Sequence, residues 1–479
     1  MVSALMALGQ EEVSPVTLSI INWIEERIDA LRGAYTMSRQ YYAGDHKVEL
    51  TDRQKKFLGR NLVFRDNVCE VVVDSVAERL EVTAFKADND EVSSLLWDWW
   101  KASRMDHKQT VTHTETTLLG DGYVLVDWDY LALRPRFHFQ EAEMIIPHYD
   151  NAGDMVWLSK KWTEVPELGQ PEITRMNIYY PDRIEKLRSE GRVWRPVLDE
   201  GETEWPVPWV DSNGKPLGLP VVHFRNSTLS DDFGQSEIAD VIPLQDLLNK
   251  QLVDMTAIAD IMGFPQRWMV DMEVSNKSEL EYVPGSLWDL KSDGGDAKGT
   301  TGQFEAAPML DILKAIEMLV EHVSMTSRTP RHLFHLTGEY PSGEAMKTAE
   351  AGLVSKVKKR QVDFGNSWED VMQMAVKVNA VFGGGEPGSL PETSIIDTIW
   401  ADPETRNETN FLQGLAIKKD KLGVPQEQIW REMGYSQQAI DQMQADQDLQ
   451  RTRDVNIGSA ILRDFEQGQG GGFEQDGGP

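Results

Sequence analysis

Cysteine is almost missing. Cys69 stands alone among 479 residues, so no intrachain disulfide framework exists and a reducing compartment suits the chain. Basic residues are in deficit too: 48 Lys+Arg face 78 Asp+Glu, a net charge of −30. Such a surface repels phosphate and releases few counterions, which excludes a protein that wraps a nucleic-acid backbone. No window reaches the ~18 uninterrupted apolar residues that a membrane-spanning helix needs. The opening MVSALMALGQEEVSP has a short apolar stretch but no basic flank and no cleavage site. No targeting signal is expected there, and the chain reads as made in a cytoplasm.

The signatures of common enzyme chemistry are missing as well. The Gly-Lys pair Gly214-Lys215 lacks the upstream glycine and the following Ser/Thr of a P-loop, which excludes an ATP-driven motor of that type. Gly383, Gly385 and Gly388 match a GxGxxG spacing, yet they follow a helix and contain Pro387, the wrong setting for a dinucleotide site. His332 and His335 lie three apart beside His322, without a cysteine or a usual zinc spacing. Asp121, Asp127 and Asp129 cluster on a strand and its approach as in some metal-dependent nucleases, but no Glu-x-Lys or histidine completes the set, and exposed strand carboxylates are expected. Ser342 has no GxSxG frame. Cys69, in a valine-rich helix, reads as a small buried hydrophobe.

What is present is enough for several structural units, since single cores stop growing near ~250–300 residues. Hydrophobic residues make 40% and charged residues 26% of the chain, too apolar a mixture for a wholly disordered protein. Helical spacing with Ser14 as cap predicts a helix from Pro15 to Gly33, a second from Asp66 to Arg79 and a third from Val92 to Leu119. Tyr123–Trp128 alternates as a strand. From Gly122 to Phe224, short Val, Trp, Tyr and Ile runs between Asx-Gly turns indicate an antiparallel β region, with Trp157, Trp162, Trp194, Trp205 and Trp209 as packing residues. Further helices are expected over Gln235–Met262, with Pro243 starting or kinking it, over Met309–Ser327, and over Ser342–Phe382. The last would span ~60 Å if Gly352 and Gly365 leave it unbroken. A strand at Ser394–Trp400, a helical unit at Pro403–Leu449 and a Gly-rich tail from Gln467 complete the chain, with no solenoid repeat. The class is α+β.

Several stretches, in order, resemble the portal (head–tail connector) proteins of tailed bacteriophages. They are Gln40-Tyr-Tyr-Ala-Gly44, Asn67–Arg79 with Leu80–Phe85, and Trp100–Val126 ending in Gly120-Asp-Gly-Tyr-Val. They continue with Gly234-Gln-Ser-Glu-Ile-Ala-Asp240, Leu244–Lys250 and Phe264-Pro-Gln-Arg267. Thr329-Pro-Arg-His332, Pro341-Ser-Gly-Glu-Ala345 and Phe364-Gly-Asn-Ser-Trp368 close the series, which covers about residues 15–450.

The resemblance implies a subunit with a helix-rich wing carrying the β region, a two-helix stem, a small α/β clip, a long helix and a helical crown. It maps the wing to 1–233, the stem helices to 234–262 and 309–328, and the clip to 263–308. The tunnel loop falls at 329–343, the long wing helix and strand at 344–400, the crown at 401–450 and a flexible tail at 451–479. It further implies a twelve-subunit ring at one capsid vertex of the virion, assembled in the host cytoplasm, through which double-stranded DNA passes without sequence specificity. Partners would be the major capsid protein, a head–tail adaptor and the terminase motor that hydrolyses ATP during packaging. No membrane, cofactor, metal or catalytic residue is implied.

Arg328, Arg331, His332 and Glu339 are the DNA-facing candidates of the tunnel loop. The two arginines have a second reading as cations at the C-terminal end of helix 309–327. Two other functions stay open on the residues alone: another capsid or tail protein built on a long-helix bundle, and a metal-dependent nuclease using Asp121, Asp127 and Asp129. Adaptation to high salt is a further source of the acidity, and would appear as folding only in concentrated salt.

Overall fold

A computed structural model describes residues 13–48, 52, 66–164, 172–190, 193–199, 201–226, 233–263, 267–270, 272–273, 291–292, 300–303, 309–334, 343–383, 395–404, 408–433, 435 and 439–450. The chain divides into two compact units, Met1–Glu404 and Thr405–Pro479.

In the first unit, helix α1 (Pro15–Tyr42) starts where expected: Pro15 occupies the first turn and Ser14 Oγ accepts from Thr17 N at 3.1 Å. It does not stop at Gly33. A glycine whose added Cβ would meet nothing within 4 Å costs a helix only about 1 kcal/mol, and nine more residues follow, burying Tyr35 and Ser38. Helix α2 (Val68–Ala77) buries Cys69 with Val72, Val73 and Val76. The single helix expected over 92–119 is two, α3 (Asp90–Ala102) and α4 (Met105–Leu119), broken where Arg104 takes the left-handed φ of 57°. The buried face of α3, Val92, Leu96, Trp99 and Trp100, and that of α4 thus point independently into the core.

The β region is antiparallel, in two sheets. β2 (Asp121–Asp129) is the centre of a three-stranded sheet between β3 (Arg134–Gln140) and β10 (Val221–Arg225). A six-stranded sheet runs β4 (Ile145–Tyr149), β5 (Met155–Glu164), β6 (Ile173–Tyr179), β7 (Arg183–Glu190) and β8 (Val193–Pro196), with the two-residue β9 (Val207–Pro208) also on β7. One face of this sheet receives α1: Ile21, Ile24 and Ile28 pack with Ile146, Met176, Ile178, Leu187 and Trp194. Trp157 and Trp205 lie against the same cluster, so those tryptophans are packing residues.

Helix α5 (Ile242–Gly263) has Pro243 in its first turn, a start rather than a kink. Of residues 264–308, four short strands are described: β11 (Arg267–Val270) pairs β14 (Thr300–Gln303), and β12 (Met272–Glu273) pairs β13 (Lys291–Ser292). Helix α6 (Met309–Ser327) has the expected bounds. Helix α7 (Gly343–Phe382) is continuous through Gly352 and Gly365, ~60 Å at 1.5 Å per residue. Its buried stripe, Phe364, Trp368, Val371, Met372, Ala375 and Val378, is central to the main core. Trp368 meets Trp100 edge-on at 4.8 Å and Phe224 at 4.7 Å between ring centroids. β15 (Ile396–Trp400) pairs β1 (Val82–Ala87) across more than 300 residues.

The second unit contains α8 (Glu408–Leu422), α9 (Gln426–Glu432) and helical residues 439–450. No helix among the described residues is long and apolar enough to cross a membrane. Ser342, Glu339 and the tail from 451 lie outside the described residues.

Candidate functional site

The end of α6 and the start of α7 frame the segment in which the loop candidates fall. Chain direction changes sharply after Ser327, because Arg328 is left-handed with φ 56°. The turn is then tied down locally. Ser327 Oγ donates to Val323 O at 2.7 Å, and Ser324 Oγ donates to Thr329 O at 2.7 Å. A short 3-10 turn, Arg331–Leu333, follows. His332 Nε2 meets Glu350 Oε1 of α7 at 3.2 Å, and Arg79 lies 3.9 Å from the other oxygen of that carboxylate.

Below this turn is a buried ionic group. Lys356 Nζ donates to Glu237 Oε2 at 3.0 Å, and Arg360 Nη2 donates to Glu237 Oε1 at 2.8 Å. The ammonium of Lys356 also donates to the carbonyl of Ser327. All three side chains are at least nine-tenths buried. Burial pushes the Glu237 carboxyl up, but the two cations outweigh it and hold it below the usual carboxylate range. For Lys356, burial wins over the pull of Glu237 and its pKa lies below the ordinary lysine value. One long-helix lysine therefore ends α6, and with Arg360 it anchors the segment carrying Glu237. Removing one partner of such a group leaves a buried charge uncompensated.

That segment is fixed at its other end by a second polar network. Gly120 and Gly234 pass so closely that a Cβ on Gly234 would sit 2.0 Å from Gly120 O. Gly120 itself has φ 96°, a conformation that favours glycine. Gly234 N donates to Asp121 Oδ1 at 2.8 Å. Tyr35 OH donates to Asp121 Oδ2, and His223 Nε2 lies 2.9 Å from Oδ1. An ionised carboxylate only accepts, so Nε2 carries the His223 proton and Nδ1 accepts from Tyr149 OH at 2.6 Å. Burial keeps His223 below the ordinary histidine pKa despite its bond to Asp121. α1, β2, β4, β10 and the 234–241 segment are thereby joined through one aspartate.

Arg328 and Arg331 are exposed at the turn. The carbonyl of Ser327 is met by Lys356 from α7, a residue that sequence reading passed over. His332 is engaged with Glu350, and Glu339 lies outside the described residues. The aspartates expected to be exposed strand carboxylates divide: Asp121 is buried at 2% exposure, whereas Asp127 faces solvent. Asp121 is buried because it starts the central strand, where Tyr35, His223 and Gly234 supply its donors. Asp127 lies six positions further along the strand, ~20 Å at 3.3 Å per residue, and Asp129 caps the next turn by accepting from Leu131 N and Ala132 N. The three carboxylates do not converge, and no cluster fit to hold a metal is found among the described residues. Sequence reading also missed Glu237, Glu350 and Arg360. The one signal was that Lys356 and Arg360 are four apart on a helix, hence on one face.

A family model described as "Phage portal protein, SPP1 Gp6-like" matches residues 21–451. The portal protein of Mycobacterium phage D29 is 26% identical over 470 residues, covering 89% of this chain and 88% of that protein. The portal protein of Mycobacterium phage L5 is 26% identical over 451 residues, covering 88% and 86%. A solved "Neck of native GTA particle computed with C12 symmetry" aligns with a TM-score of 0.43 at 11% identity, over 76% of this chain and 88% of that one. The empty particle, computed with C6 symmetry, gives 0.42 at 11% identity, over 75% and 86%.

Proposed function

The chain belongs to the SPP1 Gp6-like phage portal proteins, and from that premise we propose that twelve copies close a ring at one capsid vertex through which duplex DNA is packaged and ejected. The single observation that carries the reading is the family match over residues 21–451, nearly the whole chain. In this assignment the wing is 1–233, with the long helix and strand of 344–400. Residues 234–262 and 309–328 are the stem, 263–308 the clip, 329–343 the tunnel loop and 401–450 the crown. The capsid grips the wing, while the terminase motor and then the head–tail adaptor dock on the clip. Hydrolysis of ATP belongs to the terminase.

Electrostatics supports the channel. A duct must not hold what it conducts, and each phosphate neutralised adds sequence-independent affinity. A charge of −30 per chain, about −360 for twelve, repels the duplex over a screening length of about 8 Å in physiological salt. Arg328 and Arg331, exposed on a turn pinned by Lys356 and Glu350, supply local, transient phosphate contacts within that repulsive wall.

Electron microscopy of the purified chain beside a light-scattering mass tests the proposal. It expects an annulus with an open channel and a mass of about 650 kDa, twelve times the 54.2 kDa of one chain. A compact particle without a channel would sink it.

A further inference from the structure

The hairpin joining β2 to β3 ends in an exposed turn. Leu131 is 99% exposed, Tyr130 72% and Leu133 68%. The turn is nevertheless built to hold its shape. Asp129 Oδ1 accepts from the backbone N–H of Leu131 and of Ala132 at 3.0 Å each, and Tyr130 and Trp128 both lie against Phe382 at the end of α7. Leu133 takes φ 50°, a left-handed position that a branched side chain rarely occupies.

The ground around this knob is basic, in a chain of net charge −30. Arg134 and Arg136 leave the turn on the exposed positions of β3; Lys108 of α4 lies near Arg136 and near Arg104, which precedes that helix, and Lys160 of β5 lies near His138. Their mutual repulsion, after burial, holds Lys108 and His138 below their ordinary pKa values. The anions among these cations are Asp127, Asp129, which lies 3.5 Å from Arg136, and Asp106, exposed in the first turn of α4.

A surface of the opposite kind exists elsewhere on the same chain. Ile395, just before β15, and Asp397 and Ile399 on it occupy alternate, exposed positions, with Ile395 69% and Ile399 41% exposed. The paired strand β1 is bounded by exposed Glu81 and Asp88, and α3 opens with exposed Asp90 and Glu91; Lys86 is the opposing cation across from Asp397. β15 is held to α7 at Gly365 and Glu369, through Thr398, whereas the knob is held at Phe382. The two surfaces are thus anchored about 20–25 Å apart along one helix.

We propose that the Tyr130–Leu133 knob of one copy docks on the β1–β15 face of the next copy, as a head-to-tail contact between subunits. This rests on the ring reading and specifies one of its interfaces. Subunits of like net charge close a ring only where unlike faces meet, and a heterologous contact needs two different surfaces on every copy. One chain here carries both: apolar with basic surroundings, and apolar with acidic surroundings. Duplex DNA is a poorer occupant of the knob, because a phosphate backbone offers no apolar socket for two leucines.

Two full-length variants test it by light-scattering mass. Leu131→Ser with Leu133→Asn and Arg134→Glu blocks the knob, Asn being at ease in the left-handed position; Ile395→Ser with Asp397→Lys and Ile399→Thr blocks the face. Each alone is expected to stay at the mass of one chain at concentrations tenfold above those at which the unmodified chain assembles. Mixed in equal amounts they should form a two-chain species and grow no further, because the mixture holds one intact knob and one intact face per pair. Circular dichroism melts matching the unmodified chain exclude misfolding as the cause.

Assembly of either variant alone like the unmodified chain overturns the inference, as does a mixture that stays monomeric. Normal rings that fail only to enter heads would assign the knob to the capsid, and normal rings with reduced DNA retention would assign it to the duplex; either result overturns it too. If the unmodified chain never passes two copies, the ring reading fails instead. The pairing then stands or falls on whether both variants abolish that two-chain species and their mixture restores it.

Discussion

The indole N–H of Trp368 donates to Nε2 of His113 at 2.9 Å, joining α7 to α4 across 255 residues of sequence. Because Nε2 accepts, the ring proton sits on Nδ1, which donates to Leu80 O at 2.8 Å. The histidine is fully buried and neutral, and burial takes its pKa down to about 4, against a weaker upward effect of the Leu80 carbonyl.

A pH dependence follows from that depression. The unfolded histidine takes a proton near pH 6.5 and the folded one only near 4, so between those values the unfolded state binds more protons. Stability from this residue is full above about pH 6.5 and falls progressively toward pH 4, by on the order of 3 kcal/mol. Denaturant titrations at pH 7.5 and 5 check it, with Trp368→Phe as the second arm. That change orphans Nε2 and should cost about 1–3 kcal/mol beyond the lost packing at pH 7.5.

Lys356→Met removes the donor to both Glu237 and Ser327 O and leaves Arg360 to balance the carboxylate alone. A loss of about 3–5 kcal/mol is expected, with faster amide exchange over Arg331–Phe334. Lys358→Met, two residues on and more than half exposed, should change stability by less than about 0.5 kcal/mol. Equal effects at the two positions would mean that the buried group does not anchor the turn.

Gly234→Ala places a methyl group 2.0 Å from Gly120 O, where only backbone movement makes room. The variant should be recovered insoluble or melt far below the unmodified chain. Gly33→Ala, in the open on α1, should instead raise stability by about 0.5–1 kcal/mol. Thermal melts of the two distinguish close approach from a general dislike of substitution at glycine.

Arg328→Gln with Arg331→Gln tests the loop contacts. Both side chains are exposed, so the melting temperature should barely move, while DNA packaged per assembled ring should fall. Unchanged packaging would remove the arginines from the DNA path and leave them as cations near the end of α6.

Element type was largely legible along the chain. Met309–Ser327 has its observed bounds in the apolar spacing alone, and Pro243 marks the true start of α5. The misreadings are equally physical. Gly33 looked like a helix exit, but a solvent-facing glycine costs too little to end α1. The break at Arg104 has no glycine or proline to announce it, being set by a left-handed backbone between two helices that bury different faces.

The sequence by itself determined the acidity, the want of a disulfide framework and P-loop, and the order of helices and strands, since each depends on composition or on neighbours a few residues away. Only the tertiary structure decided that Lys356 is buried while Lys358 is exposed, that Asp121 is an internal hub while Asp127 faces water, and that Leu131 is left uncovered. Those outcomes turn on desolvation, and desolvation depends on which distant elements meet.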